Sequence, residues 1–600
     1  MAAMNLGAAL ERLETRQLIR AIVEAEPTFT FKHNLVQQVA YESMLVQDRK
    51  DLHRLVGEVL EQKASSGRLD LPGVLAAHFE QAGIPDKALR YATVAGDEAM
   101  RRFAAREAAD HFGRAIAHAQ AVGVSETDLM GLHERRGRCL DLSGQYEGAL
   151  ETYEALERLG RDRRSASLEC AGILGAASLH AVPTRLFDPP RALALSERAL
   201  VLARKAADVA NETRALWIQL LALTRIDPHA AVRSGEAALS LAREHGLRER
   251  EAYILNDIAS NYFVIGETSK AARASEEARP IWRELDNLPM LADSLSSLAL
   301  LRAYTADYDQ VFELSAEAIS VSDRIGNLWG QSYSRVAPSF AYFGRGELGP
   351  AILEMQRCIQ LAEHAGFLYP QVALRSVLAI VYALAGDAKT SAALTDQVRQ
   401  FEEEHPSPMM MGAGLASRAW LATWTGDLGT AERYALEADL GGDPRSLSLM
   451  EDPVPFIYAQ VDYHLGRRDF MRAEVVAQAL LSQADALGAH MVTPKLHMAV
   501  GQALFGQGRR SEARAELQTA LEIAGVHGVT VGLWEIEMHL AELAEADGRS
   551  DDARRDYAGA AEHAEAVAIG LAPLGLDDAF RRQPIIQMIF QRGRGGAPGR

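Results

Sequence analysis

Cysteine, lysine and aromatic residues are all scarce in this chain. The three cysteines, Cys139, Cys170 and Cys358, lie far apart and are odd in number. That spacing suits neither a metal site nor a disulfide framework, so they are expected to be small buried core residues. Only eight of the 63 basic residues are lysine, a compositional bias toward arginine. Aromatics make up 6% while alanine is abundant, a mix that favours closely packed helices over sheets. No run of 18 apolar residues occurs and the N-terminus carries no leader pattern, so a membrane role is not expected and a reducing cytoplasm is. The formal charge of -18 makes direct nucleic-acid or anionic-membrane binding unexpected.

Catalytic signatures are missing too. There is no GxxxxGK[ST], no Gly-Lys dipeptide anywhere, and no HExxH, GxSxG or CxxC, which excludes a P-loop and the commoner hydrolase and metal motifs. Gly344, Gly346 and Gly349 form a GxGxxG, but it follows a helical apolar stretch around Phe340 to Phe343 rather than a strand, and Gly346 belongs to a repeat turn. The acidic run Glu402 to His405 before Pro406 reads as a solvated helix end. No enzyme activity, cofactor or metal is expected.

What is present is a repeat. Six hundred residues exceed one compact core. Short turns begin at Gly266, Ala306, Gly346, Gly386 and Gly426, a constant step of about 40 residues, and again at Gly508 and Gly548. Between them Gly466 opens a turn with two extra residues, and fainter turns fit at Gly144, Leu186 and Ile226. A small residue stands seven before each turn (Ala259, Ala299, Ser339, Ala379, Ala419, Ala459, Gly501, Ala541) and another twelve after it (Ala278, Ala318, Cys358, Ala438, Ala520, Ala560). Such positions let antiparallel helices approach closely. Tyr262, Tyr342 and Tyr382, four before their turns, would fill the space beside them. Gly246, Gly326, Gly366, Gly488 and Gly528 suit helix C-termini.

This spacing resembles the tetratricopeptide repeat, lengthened by most of a helical turn in each helix. The long form is similar to the arrays of maltose-activator-type transcription regulators and other large bacterial signalling ATPases. The resemblance implies an all-α, right-handed superhelical solenoid of ten to twelve antiparallel helix pairs, with first helices on the concave side.

The N-terminal stretch differs. Phe29, Phe31, Lys32, His33 and Leu35, then Tyr41, Leu45, Arg49, Leu52 and His53, resemble the segment joining ATPase to repeats in signal-transduction ATPases of the kind fused to class III adenylate or guanylate cyclases. The resemblance implies a small winged-helix-like remnant. From the residues alone, a short β-prone stretch at Thr28 to Phe31 precedes helical spacing from Lys32 to Leu60. The expected division is 1–66 as this linker module, 70–575 as the solenoid and 576–600 as a partly disordered tail; ATPase and cyclase domains are absent from the sequence.

Two functions fit. One is the sensor and scaffold arm of a signalling ATPase, cyclase or transcription-regulator system. The other is an independent adaptor for a protein partner. In either, a protein partner or small effector is expected in the concave groove. Tyr333, Phe340, Trp420, Phe456 and Tyr463 fall at inward positions of first helices, and Arg335 and Arg375 stand one repeat apart, each eleven before its turn. The aromatics could be core and the arginines paired with acids such as Glu354. Alternatively they line a groove that grips a carboxylate or phosphate.

Overall fold

A computed structural model describes residues 6–22, 28–65, 71–102, 104–182, 184–224, 226–404, 412–438, 440 and 453–594. The chain divides into two compact units, Met1–Ala176 and Ala177–Arg600.

In the first unit, a helix Leu6–Thr15 leads into strand Ile19–Ile22, which pairs antiparallel with Thr28–Phe31, Ile19 opposite Phe31. The β-prone stretch is thus a hairpin strand. The helical region after it is two helices, Asn34–Glu42 and Val46–Ser65, because Ser43 turns its hydroxyl back onto the Ala40 carbonyl and the chain leaves the helix there. Antiparallel helices follow. Phe79 stacks on Tyr91 at 5.7 Å, and Gly96 leaves room for Phe112, whose ring would lie 2.7 Å from an added Cβ.

In the second unit, from Val209 to Leu571, nine antiparallel helix pairs follow one another among the described residues. The small residues do what their spacing predicts: Ala259, Ala299, Ser339, Ala379, Ala419, Ala459 and Ala541 are buried, as are Ala278, Ala318, Cys358, Ala520 and Ala560. All three cysteines are free and buried, and burial pushes the Cys139 thiol up to about 11 and that of Cys358 to about 12. Tyr262 and Tyr382 each reach the preceding second helix, Tyr262 donating to Glu236 at 3.0 Å and Tyr382 accepting from Gln356 at 2.9 Å. The faint turns at 186 and 226 are punctuated by Asp188–Pro189 and Asp227–Pro228, aspartate caps with proline in the first helical turn.

Within the second unit, successive first helices pack on one another, whereas successive second helices scarcely touch. First helices therefore form the inner side. Two of them are irregular. Pro338 removes an N–H and crowds the carbonyl of Ser334, and the helix breaks there into Leu328–Tyr333 and Val336–Gly344. The next first helix starts with a π turn, Pro370–Leu374, before Arg375–Leu384.

The segment expected to be a tail from 576 is folded as far as residue 594. Helices Asp577–Arg581 and Pro584–Gly593 bury Phe580, Ile586 and Ile589 against the last pair. Ile585, Ile586, Ile589 and Phe590 recur at helical spacing, an amphipathic signal that the Gly/Arg-rich end obscures. Arg592 pairs with Glu545 and donates to the Tyr557 hydroxyl at 2.6 Å. Residues 595–600, including Arg600, and His405 of the acidic run lie outside the described residues.

Candidate functional site

The seven residues singled out in the sequence do not share one surface. Arg335 donates to Glu354 at 2.9 Å, and Arg375 to Glu363 at 2.5 Å. Both acids stand on the second helix Leu348–Ala365, so the two arginines turn toward that helix from either side, each at an irregular point of its own helix. Phe340 is buried beside Tyr304, ring centroids 6.4 Å apart. Phe456 packs with Val372, Val398 and Ala413. Tyr463 is buried and accepts from Arg467 at 2.7 Å. Tyr333 and Trp420 alone join the polar network of the inner face.

That network runs from one first helix to the next. Trp217, on helix Val209–Leu223, donates its indole N–H to Asp257 at 2.6 Å. Asn256 donates to Asp293 on the following first helix at 2.8 Å. Ser297 and the Tyr333 hydroxyl are 3.1 Å apart. Tyr253 lies between Trp217, tilted to it at 5.5 Å, and Trp282, which meets it edge-on at 4.9 Å. Burial pushes Asp257 up to about 6 against the indole hydrogen bond. Asp293 is pushed up to about 7 by burial and then by the charge of Asp257. Neither is fully closed off from water. Two carboxylates thus sit deep in the unit with aromatic rings beside them, and among the described residues neither has an ion pair.

Farther along, Trp420 donates to Asp462 at 2.8 Å. Lys495 places its ammonium 2.9 Å from the same carboxylate and 4.9 Å from the centre of the Tyr458 ring. Glu535 lies beside Lys495 and Asp462; burial raises its carboxyl, opposed by the lysine. Burial pulls Lys495 down, but Asp462 and Glu535 outweigh it and its net shift is up. Lys495 and Asp462 keep 13% and 17% of their side-chain surface exposed.

Sequence reasoning passed over Asp257, Asp293, Asp462, Lys495 and Glu535. The signal was there. Tyr253, Asp293, Tyr333, Lys495 and Glu535 all stand thirteen before their turns, and the same column holds Ala373 and Ala413 in the middle repeats.

No helix among the described residues is long and apolar enough to cross a membrane, and no group of three or more potential metal ligands occurs among them.

No family model matches the chain. An uncharacterized protein of Rhizobium meliloti (strain 1021) is 31% identical over 103 residues, 17% of this chain; the match spans about a tenth of that relative, 10% of its length. Among solved structures, the hetero-tetramer Cut9–Hcn1 of the APC/C has a TM-score of 0.45 at 12% identity, covering 84% of this chain and 96% of that one. A Rap protein complexed with competence and sporulation factor has 0.41 at 14%, covering 60% and 98%. A signal-transduction ATPase with numerous domains and a tetratricopeptide repeat sensor, from Pyrococcus horikoshii, has 0.37 at 16%, covering 67% and 59%.

Proposed function

We propose that this chain is a non-catalytic binding scaffold, the sensor arm of a signalling ATPase, cyclase or transcription-regulator system, whose inner face takes an effector or a segment of a partner protein. The observation that carries this reading is the column of polar side chains thirteen residues before five of the turns, Tyr253, Asp293, Tyr333, Lys495 and Glu535. Alanine fills it at Ala373 and Ala413, so the fold does not need Asp293, Tyr333, Lys495 or Glu535 there. Desolvated carboxylates oppose folding unless something else selects them. Because Arg335 and Arg375 have their own acids, while Asp257 and Asp293 have rings beside them and no ion pair among the described residues, the favoured ligand group is an amine or guanidinium rather than an anion.

The test is calorimetry of the purified chain against short peptides with lysine or arginine, with acidic peptides as controls. Binding of basic peptides that disappears in Asp257→Asn, Asp293→Asn supports the reading. Absence of such binding, or its persistence in the double variant, refutes it.

The arm is favoured over an independent adaptor by the helices Asn34–Glu42 and Val46–Ser65. With the turn that joins them they expose Leu35 and Leu45 at 70% and 73%, and Val39, Leu52, Leu55, Val56 and Val59 are also exposed, an apolar face of the kind that a docking partner covers. Titration with a purified nucleotide-binding module, read by hydrogen exchange over residues 34–65, checks this; no protection there favours the adaptor.

A further inference from the structure

Three consecutive first helices of the second unit end in carbonyls that a much later part of the chain satisfies. The acceptors are spaced by one repeat. Met491 N–H donates to Tyr304 at 3.1 Å, Val531 N–H to Gly344 at 3.1 Å, and the Gln583 side-chain amide to Leu384 at 2.9 Å. Thr530 adds its hydroxyl to the Arg345 carbonyl at 2.5 Å. Helix C-termini leave such carbonyls orphaned, and here the repeats one superhelical turn on supply the donors. The separations of 185 and 199 residues correspond to about four and a half to five repeats per turn. The approach depends on missing side chains. An added Cβ at Gly386 would lie 2.5 Å from the Ala579 carbonyl oxygen, and one at Gly349 would overlap the carbonyl oxygen of Gly570.

The line along which the two turns meet joins buried apolar residues of one cluster, Leu348, Leu384, Trp534 and Phe580 among them, and it also holds a gap and charged groups. A cavity of about 30 Å³, room for about one water molecule, lies in it. Gly346, Leu348 and Leu384 of the earlier turn form one side; Tyr458, Lys495, Trp534, Glu535 and Phe580 of the later turn form the other. Lys495 and Glu535 are thus charged groups largely, though not wholly, shielded from water where the turns meet. Taking charges out of water opposes the contact, while apolar burial and the bonds at the helix ends favour it.

We propose that this seam is a latch: the second unit closes when the helix ends at Tyr304, Gly344 and Leu384 take their donors, and opens along that line, wetting Lys495 and Glu535, while each helix pair stays folded. Closure sets whether the inner face is reached through the side of the coil or only along its axis. The proposal is independent of what that face binds, since it concerns the empty chain. The titratable groups beside Glu535 are Lys495, Asp462, His539 and Tyr458.

The experiment uses the full chain without ligand. Gly349→Leu forces the turns apart. Its expected result is a larger radius of gyration by small-angle scattering with unchanged helical circular dichroism. Glu535→Gln removes a charge that closure must desolvate. Its expected result is hydrogen exchange at the Met491 and Val531 amides slowed several-fold, with amides inside the helix pairs unchanged. An unaltered radius in Gly349→Leu overturns the latch. If that variant does not fold, Glu535→Gln decides alone: exchange at Met491 and Val531 that is unaltered, or that moves only together with the helix interiors, makes the seam ordinary core and overturns the latch equally.

Discussion

Trp217 donates its indole N–H to Asp257, one helix pair further on in the chain, at 2.6 Å. The bond ties equivalent positions of adjacent repeats, both nine before their turns, and it holds a carboxylate that burial would otherwise discharge further.

The first prediction is a pH dependence. Burial pushes the Asp257 carboxyl up to about 6, and burial with the Asp257 charge pushes Asp293 up to about 7, against 3.8 for the ordinary group. A carboxyl raised in the folded state binds more protons folded than unfolded, so its stabilising contribution is present at low pH and is lost as pH rises through 7. Between pH 5 and 8 the wild type should lose more stability than Asp293→Asn. The difference should be on the order of 1 kcal/mol, roughly 2–4 °C in Tm. Parallel melting curves for the two proteins across that range would contradict it.

Glycines in the first unit separate by what they meet. An added Cβ at Gly172 would overlap the backbone of Glu157, which cannot swing aside, whereas one at Gly148 meets only Leu140 methyls at 3.6 Å. Gly172→Ala should destabilise by about 1–3 kcal/mol through forced backbone shifts. Gly148→Ala should be neutral or stabilising by up to about 1 kcal/mol through helix propensity. Urea titration of both variants checks the order.

Ala306 takes φ +58° at a turn position where Gly266, Gly346 and Gly386 stand in neighbouring repeats. A Cβ in that region is strained. Ala306→Gly should therefore raise stability by about 0.5–1 kcal/mol, although a helix-interior exchange of the same kind lowers it. A lower denaturation midpoint would mean that the methyl's packing outweighs the strain.

Lys495 neutralises a carboxylate that Trp420 also holds. Lys495→Met leaves Asp462 and Glu535 buried without a cation and should cost about 3–5 kcal/mol. Adding Asp462→Asn should recover part of that loss, with the indole N–H keeping an acceptor. Additive losses in the double variant would show that the two side chains act separately.

For the two arginines, Arg335→Ala with Arg375→Ala should reduce stability by about 1–2 kcal/mol, because each leaves an acid on the helix Leu348–Ala365 unpaired. Binding of basic peptides should not change, a point calorimetry can settle.

The repeat was legible because helix approach requires small residues at fixed places, and Ala299, Ala379 and Cys358 carry that requirement in their spacing. The polar face was harder to read. Asp293 and Lys495 stand in apolar helices, where a single charge looks like noise until it is aligned on the turn rather than on its neighbours. Arg335 and Arg375 aligned equally well and turn the other way, since Pro338 and the π turn at Pro370–Leu374 rotate the start of their helices. Periodicity fixes a face only while the helix stays regular. Nor does any local pattern announce that Tyr304 and Met491 meet, because their contact depends on the accumulated rotation of every repeat between them.

The carbonyls of Tyr304 and Gly344 are separated by one repeat, and so are their donors, Met491 and Val531. The coil therefore behaves as a screw thread whose pitch equals a whole number of residues per step. Duplicating one whole helix pair inside it would advance every later donor by one thread and offer it the next carbonyl in the row. Inserting a few residues would strip the thread. Gene duplication can lengthen such an array by whole pairs without disturbing its register, while small insertions must be absorbed between turns, as between Gly426 and Arg468, left-handed turn positions 42 residues apart where their neighbours keep 40.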